Sequence, residues 1–224
     1  MTAPELDTPT TLDTRERWRE FTAQPLHHVH RARLLACFDG LDLPAATLEA
    51  MLTLPRLQAR LTRMLERRFA LQPLHAIAPP QPADLPVATL GAAHLSELAE
   101  RCGAVFWAQA FVCEIRAPAV RALREHFGSA LYELALAERE LACPDLALPT
   151  CADALAAAVQ RDGQACVQAW LAEQPRALAA WQRLKLTAAT MLPLSADVQR
   201  YGPAIVRRVV QLNTLTSPGG PADD

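Results

Sequence analysis

Apolar residues recur along most of this chain at intervals of three and four positions, the spacing at which side chains share one face of an α-helix. The clearest stripe follows Pro55 and consists of Leu57, Leu61, Met64, Leu65 and Phe69. No segment shows the strict alternation that is typical of a half-buried strand. The pattern therefore predicts an all-α fold, a single compact multi-helix domain of about nine helices over residues 14–212.

Glycine and proline mark the helix ends that we expect in the middle of the chain. Gly103 is expected to end one helix, and Gly163 to separate two others. Residues 104–116 are apolar on nearly every side, which predicts that they form the central buried helix. Gly128 is expected to close the helix that Pro118 opens.

Three segments do not show helical periodicity. Five prolines lie within residues 72–86, which predicts an extended surface connector inside the domain. Residues 1–13 and 213–224 offer little to bury and are expected to be disordered tails. The N-terminal segment lacks the basic and apolar regions of an export signal, and no apolar run reaches the length of about 18 residues needed to cross a membrane. We therefore expect a cytoplasmic protein.

Composition supports a helical protein with a real core, since 51% of the residues are hydrophobic and alanine and leucine dominate. The net charge of -2 gives no reason to expect a general affinity for nucleic acids. Lys185 is the only lysine, a bias that a GC-rich genome explains. Six cysteines occur without a C-x-x-C pair, and we expect them to be reduced and buried.

Candidate catalytic and metal-binding groups are sparse. The cluster His27, His28 and His30 has no further ligands nearby in the sequence, whereas zinc needs three or four that converge. Most glutamates have an arginine three or four positions away, which predicts solvated ion pairs rather than acid–base pairs. We therefore expect no catalytic residues, no metal and no cofactor, and a protein that is not an enzyme.

The strongest polar pattern is a stripe of arginines on the helix that follows Pro55. Spacings of four, three and four residues place its members on one side of the helix, away from the apolar stripe, and one more arginine flanks it. A solvated face, a docking surface for an acidic protein and a nucleic-acid contact all fit this pattern. Trp18 lies in a charged segment and either packs on the domain or marks a partner site. The candidate partner-binding residues are Arg56, Arg60, Arg63, Arg67, Arg68 and Trp18.

Two segments carry a resemblance to a known family. Gln24–Leu35 (QPLHHVHRARLL) resembles a short segment near the start of the SctK/YscK family, accessory proteins of the bacterial type III secretion sorting platform. Leu95–Ala137 is similar to the middle section of that family. The shared positions are Gly103, Ile115, Val120, Leu123, Gly128, Tyr132 and Ala135.

The resemblance implies a non-enzymatic, α-helical adaptor at the cytosolic face of the bacterial inner membrane. Its expected partners are proteins, the inner-membrane ring protein SctD and the pod protein SctQ, without nucleic acid and without insertion into the membrane. One alternative is a helical nucleic-acid-binding regulator that uses the helix carrying Arg56–Arg68. Another is a helical enzyme or ligand carrier with a site assembled across helices.

Overall fold

The computed structural model describes residues 11–38, 43–144, 146–149, 151–187 and 193–216, and all regular structure in these ranges is helical. This confirms the all-α class. The eleven α-helices of the described ranges are α1 (Thr11–Ala23), α2 (Arg31–Leu35), α3 (Ala45–Thr53), α4 (Pro55–Arg68), α5 (Leu85–Ala88), α6 (Ala92–Phe106), α7 (Ala108–Val112), α8 (Ala117–Ala137), α9 (Ala152–Glu173), α10 (Arg176–Arg183) and α11 (Ala196–Thr216).

The terminal helices extend beyond the limits predicted for the ordered part. Helix α1 begins at Thr11 and α11 ends at Thr216, so residues 11–13 and 213–216 of the predicted tails are helical. The remaining parts of both predicted tails lie outside the described residues. Within the described helices, none combines the length and the hydropathy that are needed to span a bilayer.

The chain forms two compact units. Unit 1 consists of residues 1–92 and 175–187, and unit 2 consists of residues 93–174 and 188–224. The proline-rich connector therefore lies inside unit 1. Part of it is core rather than surface, because Leu74, Ile77 and Leu85 are buried.

The core of unit 1 joins helices that are distant in sequence. Leu61 and Leu65 of α4 belong to the same buried cluster as Leu178 and Trp181 of α10. The indole Nε1–H of Trp181 also donates a 2.8 Å hydrogen bond to the carbonyl of Gln72. The apolar stripe predicted on α4 is thus its buried face, and α10 supplies the other side of the core.

Unit 2 differs from the prediction at two glycines. Gly103 lies inside α6 and Gly163 inside α9, so neither ends a helix. A Cβ atom at Gly103 would overlap the carbonyl oxygen of Val159, and one at Gly163 would overlap that of Ala99. Each glycine is needed because α6 and α9 cross with their backbones in contact.

The prediction that residues 104–116 form the central buried helix is also wrong. Helix α6 ends at Phe106, and α7 ends at Val112. Trp107 separates them, and its indole Nε1–H donates a 2.9 Å hydrogen bond to Asp162 of α9. Residue Ile115, in the loop before α8, is 88% exposed. The buried centre is α9 instead, because every residue from 165 to 171 is buried.

Gly128 does interrupt α8, as expected from the sequence. Its φ of 74° and ψ of 154° are not helical, and two helical segments meet there. Residues with a Cβ rarely adopt this positive φ, which is why a glycine suits the bend.

Candidate functional site

The arginine stripe lies on the outer face of α4. Pro55 occupies the first turn, where its missing N–H costs no hydrogen bond, and the helix runs to Arg68. Leu61 and Leu65 are buried in the core of unit 1, while the arginines point to the opposite side. The two stripes take different sides of the helix because both recur every three or four residues but begin at different positions.

The structure places four of the five predicted arginines on one exposed side of α4, which we call the arginine face. Arg68 is exposed too, but it lies three residues after Leu65 and so projects from a different side of the helix. Between Arg56 and Arg67 the helix rises by about 16 Å, at about 1.5 Å per residue. None of the five guanidinium groups forms an ion pair with a carboxylate of the described part of the chain. The members of the arginine face are Arg56, Arg60, Arg63 and Arg67, and each is exposed.

The positive charge of the arginine face is not balanced within its unit. By sequence, unit 1 carries thirteen lysines and arginines against ten aspartates and glutamates, whereas unit 2 carries nine against fourteen. Helical positions three or four residues apart have Cβ atoms about 5–6 Å from each other, which is less than the screening length of about 8 Å at physiological salt, so the fields of neighbouring arginines add. The face is therefore suited to an anionic surface rather than to a single anion.

Trp18 is not part of the arginine face. Its side chain is half-buried and packs against the core cluster of unit 1. The centres of the Trp18 and Phe21 rings are 5.4 Å apart. Of the two possibilities considered for Trp18, the structure supports packing on its own unit, where it anchors α1.

The three clustered histidines have separate environments. His27 is exposed and His28 is half-buried, whereas the Nδ1 of His30 accepts a 3.2 Å hydrogen bond from the backbone N–H of Ala32 and so caps α2. Across the described ranges, no group of three or more histidine, cysteine or acidic side chains is arranged to hold a metal ion.

A buried polar cluster in unit 1 was missed by the sequence analysis. Lys185 is only 2% exposed, and its Nζ donates hydrogen bonds of 2.6 Å to the carbonyl of Ala88 and 2.7 Å to that of Leu90. The same nitrogen lies 4.6 Å from the centre of the Phe21 ring. The side-chain amide of Gln182 also donates to the Ala88 carbonyl, at 2.9 Å.

Burial changes the titration of this cluster. Removal from water lowers the pKa of Lys185 well below 10.5. The pKa of His28 is lowered to about 4, first by burial and then by the charge of Lys185, although backbone hydrogen bonds at Leu90 and Thr89 oppose the change. A lysine with a lowered pKa is a potential nucleophile, but this amine is enclosed and bonded to the backbone. It therefore ties the turn after α10 to residues 88–90 rather than offering a reactive site.

Helical periodicity could have identified Lys185 as buried. Leu178, Trp181 and Lys185 recur at intervals of three and four residues, which predicts one shared inner face for a continuous helix, although α10 ends at Arg183 and Lys185 lies in the turn after it. The sequence analysis attributed the only lysine to genome composition and so did not predict that its side chain is buried.

The cysteines are only partly as expected. Cys102, Cys143 and Cys166 are buried, but Cys113 and Cys151 are exposed. Burial raises the pKa of Cys102 far above 9.0 and that of Cys166 to about 12, which makes these thiols unreactive. The prediction that all six are buried is wrong for three: Cys37 is half-buried, and the two exposed cysteines lie at helix ends, where the chain leaves the core.

Comparison with known proteins finds no matching family model, no matching curated protein and no matching solved structure. The arginine face and the resemblance described above are thus the grounds for a functional proposal.

Proposed function

We propose that the protein is a non-enzymatic adaptor of a bacterial type III secretion sorting platform, positioned at the cytosolic face of the inner membrane. It links the cytoplasmic domain of the ring protein SctD to the pod protein SctQ. The resemblance of residues 24–35 and 95–137 to the SctK/YscK family supplies the identity of this assembly. The arginine face is the observation on which a docking function rests.

The chemistry of the arginine face favours a protein with an acidic surface as the partner. Arginine forms paired hydrogen bonds with carboxylates. Its guanidinium group is weakly hydrated, so it loses less hydration free energy on leaving water than an ammonium group does. The stripe matches the length of about three helical turns, so an acidic helix or loop of similar length is complementary to it. Arg67 and Arg68 also lie in the last turn of α4, where positive charge is compatible with the helix dipole.

The test is binding of the full-length protein to purified ring-protein cytoplasmic domain and to purified pod protein, measured by calorimetry. The variant is Arg60→Glu with Arg63→Glu. Arg121→Glu is the matched control, since Arg121 is an exposed arginine on α8 in unit 2. We expect the double variant to weaken binding to one partner at least tenfold, or about 1.4 kcal/mol, while the control leaves both affinities within twofold.

Two results would overturn the adaptor function. One is failure of the unmodified protein to bind either partner. The other is salt-dependent binding to duplex DNA that the double variant abolishes, because that result identifies the arginine face as the contact of a nucleic-acid-binding regulator. Unchanged binding of the double variant to both partners would reject the arginine face as the docking surface.

A further inference from the structure

Two exposed thiols line one groove of unit 2. The groove has a volume of about 360 Å³ and lies between the loop before α8 and the first turn of α9. Cys113 and Cys151 are both among its lining residues, and both are exposed. Their position 38 residues apart in the sequence means that the fold, rather than a local motif, brings them to the same groove.

The backbone at both cysteines lies outside the interior of any helix. Cys113 follows the last residue of α7, and Cys151 is the extended residue that precedes α9, with φ of -149° and ψ of 164°. A disulfide needs Cα atoms within about 7 Å and a defined dihedral angle between the two sulfurs. Each cysteine contributes only one terminal bond to its helix: the N–H of Cys113 donates to the carbonyl of Gln109, and the carbonyl of Cys151 accepts from the N–H of Leu155. Adjustment to the limits of a disulfide therefore affects helix ends and not helix interiors.

The two thiols are the reactive side chains of the groove, because its charged residues pair with each other and its other walls are apolar. Glu114 and Arg116 are paired with each other through a 2.6 Å ion pair. Hydrogen bonds from Arg116 lower the pKa of Glu114 to about 2. This carboxylate is therefore ionised and already bound to Arg116. Leu123 and Leu155 supply apolar walls. By contrast, the buried thiols of the same unit are shielded from reagents.

We propose that Cys113 and Cys151 form a redox-active pair that closes across the groove as an intramolecular disulfide. The co-reactant is a small disulfide of the glutathione class. The thiolate of one cysteine attacks it, a protein–glutathione S–S bond forms, and one glutathione leaves as a thiolate. The second cysteine then attacks the protein sulfur of that mixed disulfide, and the second glutathione leaves.

The exchange is balanced. The two cysteines lose two electrons and two protons in total, and the oxidised glutathione gains them as it becomes two thiols. The product links the end of α7 to the start of α9 and narrows the groove between them. The groove is therefore open in the reduced protein and closed in the oxidised protein.

The test uses the full-length protein, incubated under native conditions with oxidised glutathione, blocked with an alkylating reagent and digested without reduction. Chymotrypsin suits the digest, because cleavage after Phe106 or Phe111 separates Cys102 from Cys113, and cleavage after Leu146 separates Cys143 from Cys151. Mass spectrometry is expected to find the Cys113–Cys151 link as the main oxidised product.

Single variants distinguish a true pair from two independent thiols. Cys113→Ser should leave Cys151 as a persistent mixed disulfide with glutathione, and Cys151→Ser should do the same for Cys113. Cys37→Ser is the control and should retain the link, since Cys37 is half-buried in unit 1. Glutathione on both cysteines of the unmodified protein without a link, or no modification of either, would overturn the proposal.

Discussion

The side-chain nitrogen of Lys185 lies 4.6 Å from the centre of the Phe21 ring, inside the core of unit 1. The same nitrogen donates to the carbonyls of Ala88 and Leu90. One side chain thus joins α1, the end of α5 and the segment after α10. These three segments are far apart in the sequence, so this contact helps to hold residues 175–187 in the first unit.

Lys185→Met keeps the apolar stem of this side chain and removes its amine. Above the lowered pKa of Lys185 and up to 10.5, the unfolded chain binds more protons than the folded one. The free energy of unfolding of the unmodified protein therefore rises with pH relative to the variant, by up to about 1.4 kcal/mol per pH unit. Urea unfolding at pH 7 and pH 9.5 measures this difference. A difference that does not change with pH would contradict a perturbed lysine.

His28→Phe tests the second titrating group of the cluster. Between pH 6.5 and about 4 the unfolded chain binds the histidine proton and the folded protein does not, so acid destabilises the unmodified protein over this window. The ring is half-buried, so we expect a relative loss of about 1–2 kcal/mol, less than full burial would give. Phenylalanine retains the edge contact with Phe21, where the ring centres are 4.9 Å apart.

The measurement for His28→Phe is the free energy of unfolding at pH 7 and pH 4.5. The unmodified protein should lose more stability than the variant on acidification. His75→Asn is the control, because His75 is exposed, and its stability should change with pH in parallel with the unmodified protein. Parallel curves for His28→Phe as well would show that His28 titrates normally.

Gly163→Ala tests the crossing of α6 and α9. The added Cβ would overlap the carbonyl oxygen of Ala99, so the helices must separate. We expect a loss of about 3 kcal/mol or more, even though alanine is the better helix former by about 1 kcal/mol. For a chain of this size, that loss lowers the melting temperature by about 6–12 °C.

The control for this crossing is Gln160→Ala, at an exposed position one turn earlier on α9, which should change stability by less than about 0.5 kcal/mol. Gly103→Ala combined with Gly163→Ala should cost less than the sum of the two single effects, because both glycines serve the same contact. A thermal melt of Gly163→Ala that matches that of the unmodified protein would contradict the close approach.

Arg56→Glu and Arg67→Glu make the same charge change at opposite ends of α4. Arg56 lies in the first turn, where positive charge is unfavourable, and Arg67 lies in the last turn, where it is favourable. Both variants relieve repulsion along the stripe, so their difference isolates the effect of position. We expect Arg56→Glu to be the more stable of the two by about 1 kcal/mol at low salt. High salt should reduce the difference, and denaturant titrations at two salt concentrations measure it.

The helical class and the two faces of α4 follow from local information. The apolar residues, including Leu61 and Leu65, and the arginines each recur at three- and four-residue spacing within a few turns. This spacing alone assigns each residue to one side of the helix. Gly128 likewise marks a bend because its positive φ is a property of its own backbone. These features could be predicted because no distant segment is needed to produce them.

Contacts between segments that are distant in sequence determine the features that could not be predicted. Gly103 and Gly163 looked like helix ends because glycine often ends helices, but here each leaves room for the backbone of another helix. Lys185 is buried because the carbonyls of Ala88 and Leu90 meet its amine in the folded unit. Cys113 and Cys151 share a groove only because the fold places the end of α7 and the start of α9 along its walls. Periodicity places a residue on a face of its own helix, but only the packed structure determines what covers that face.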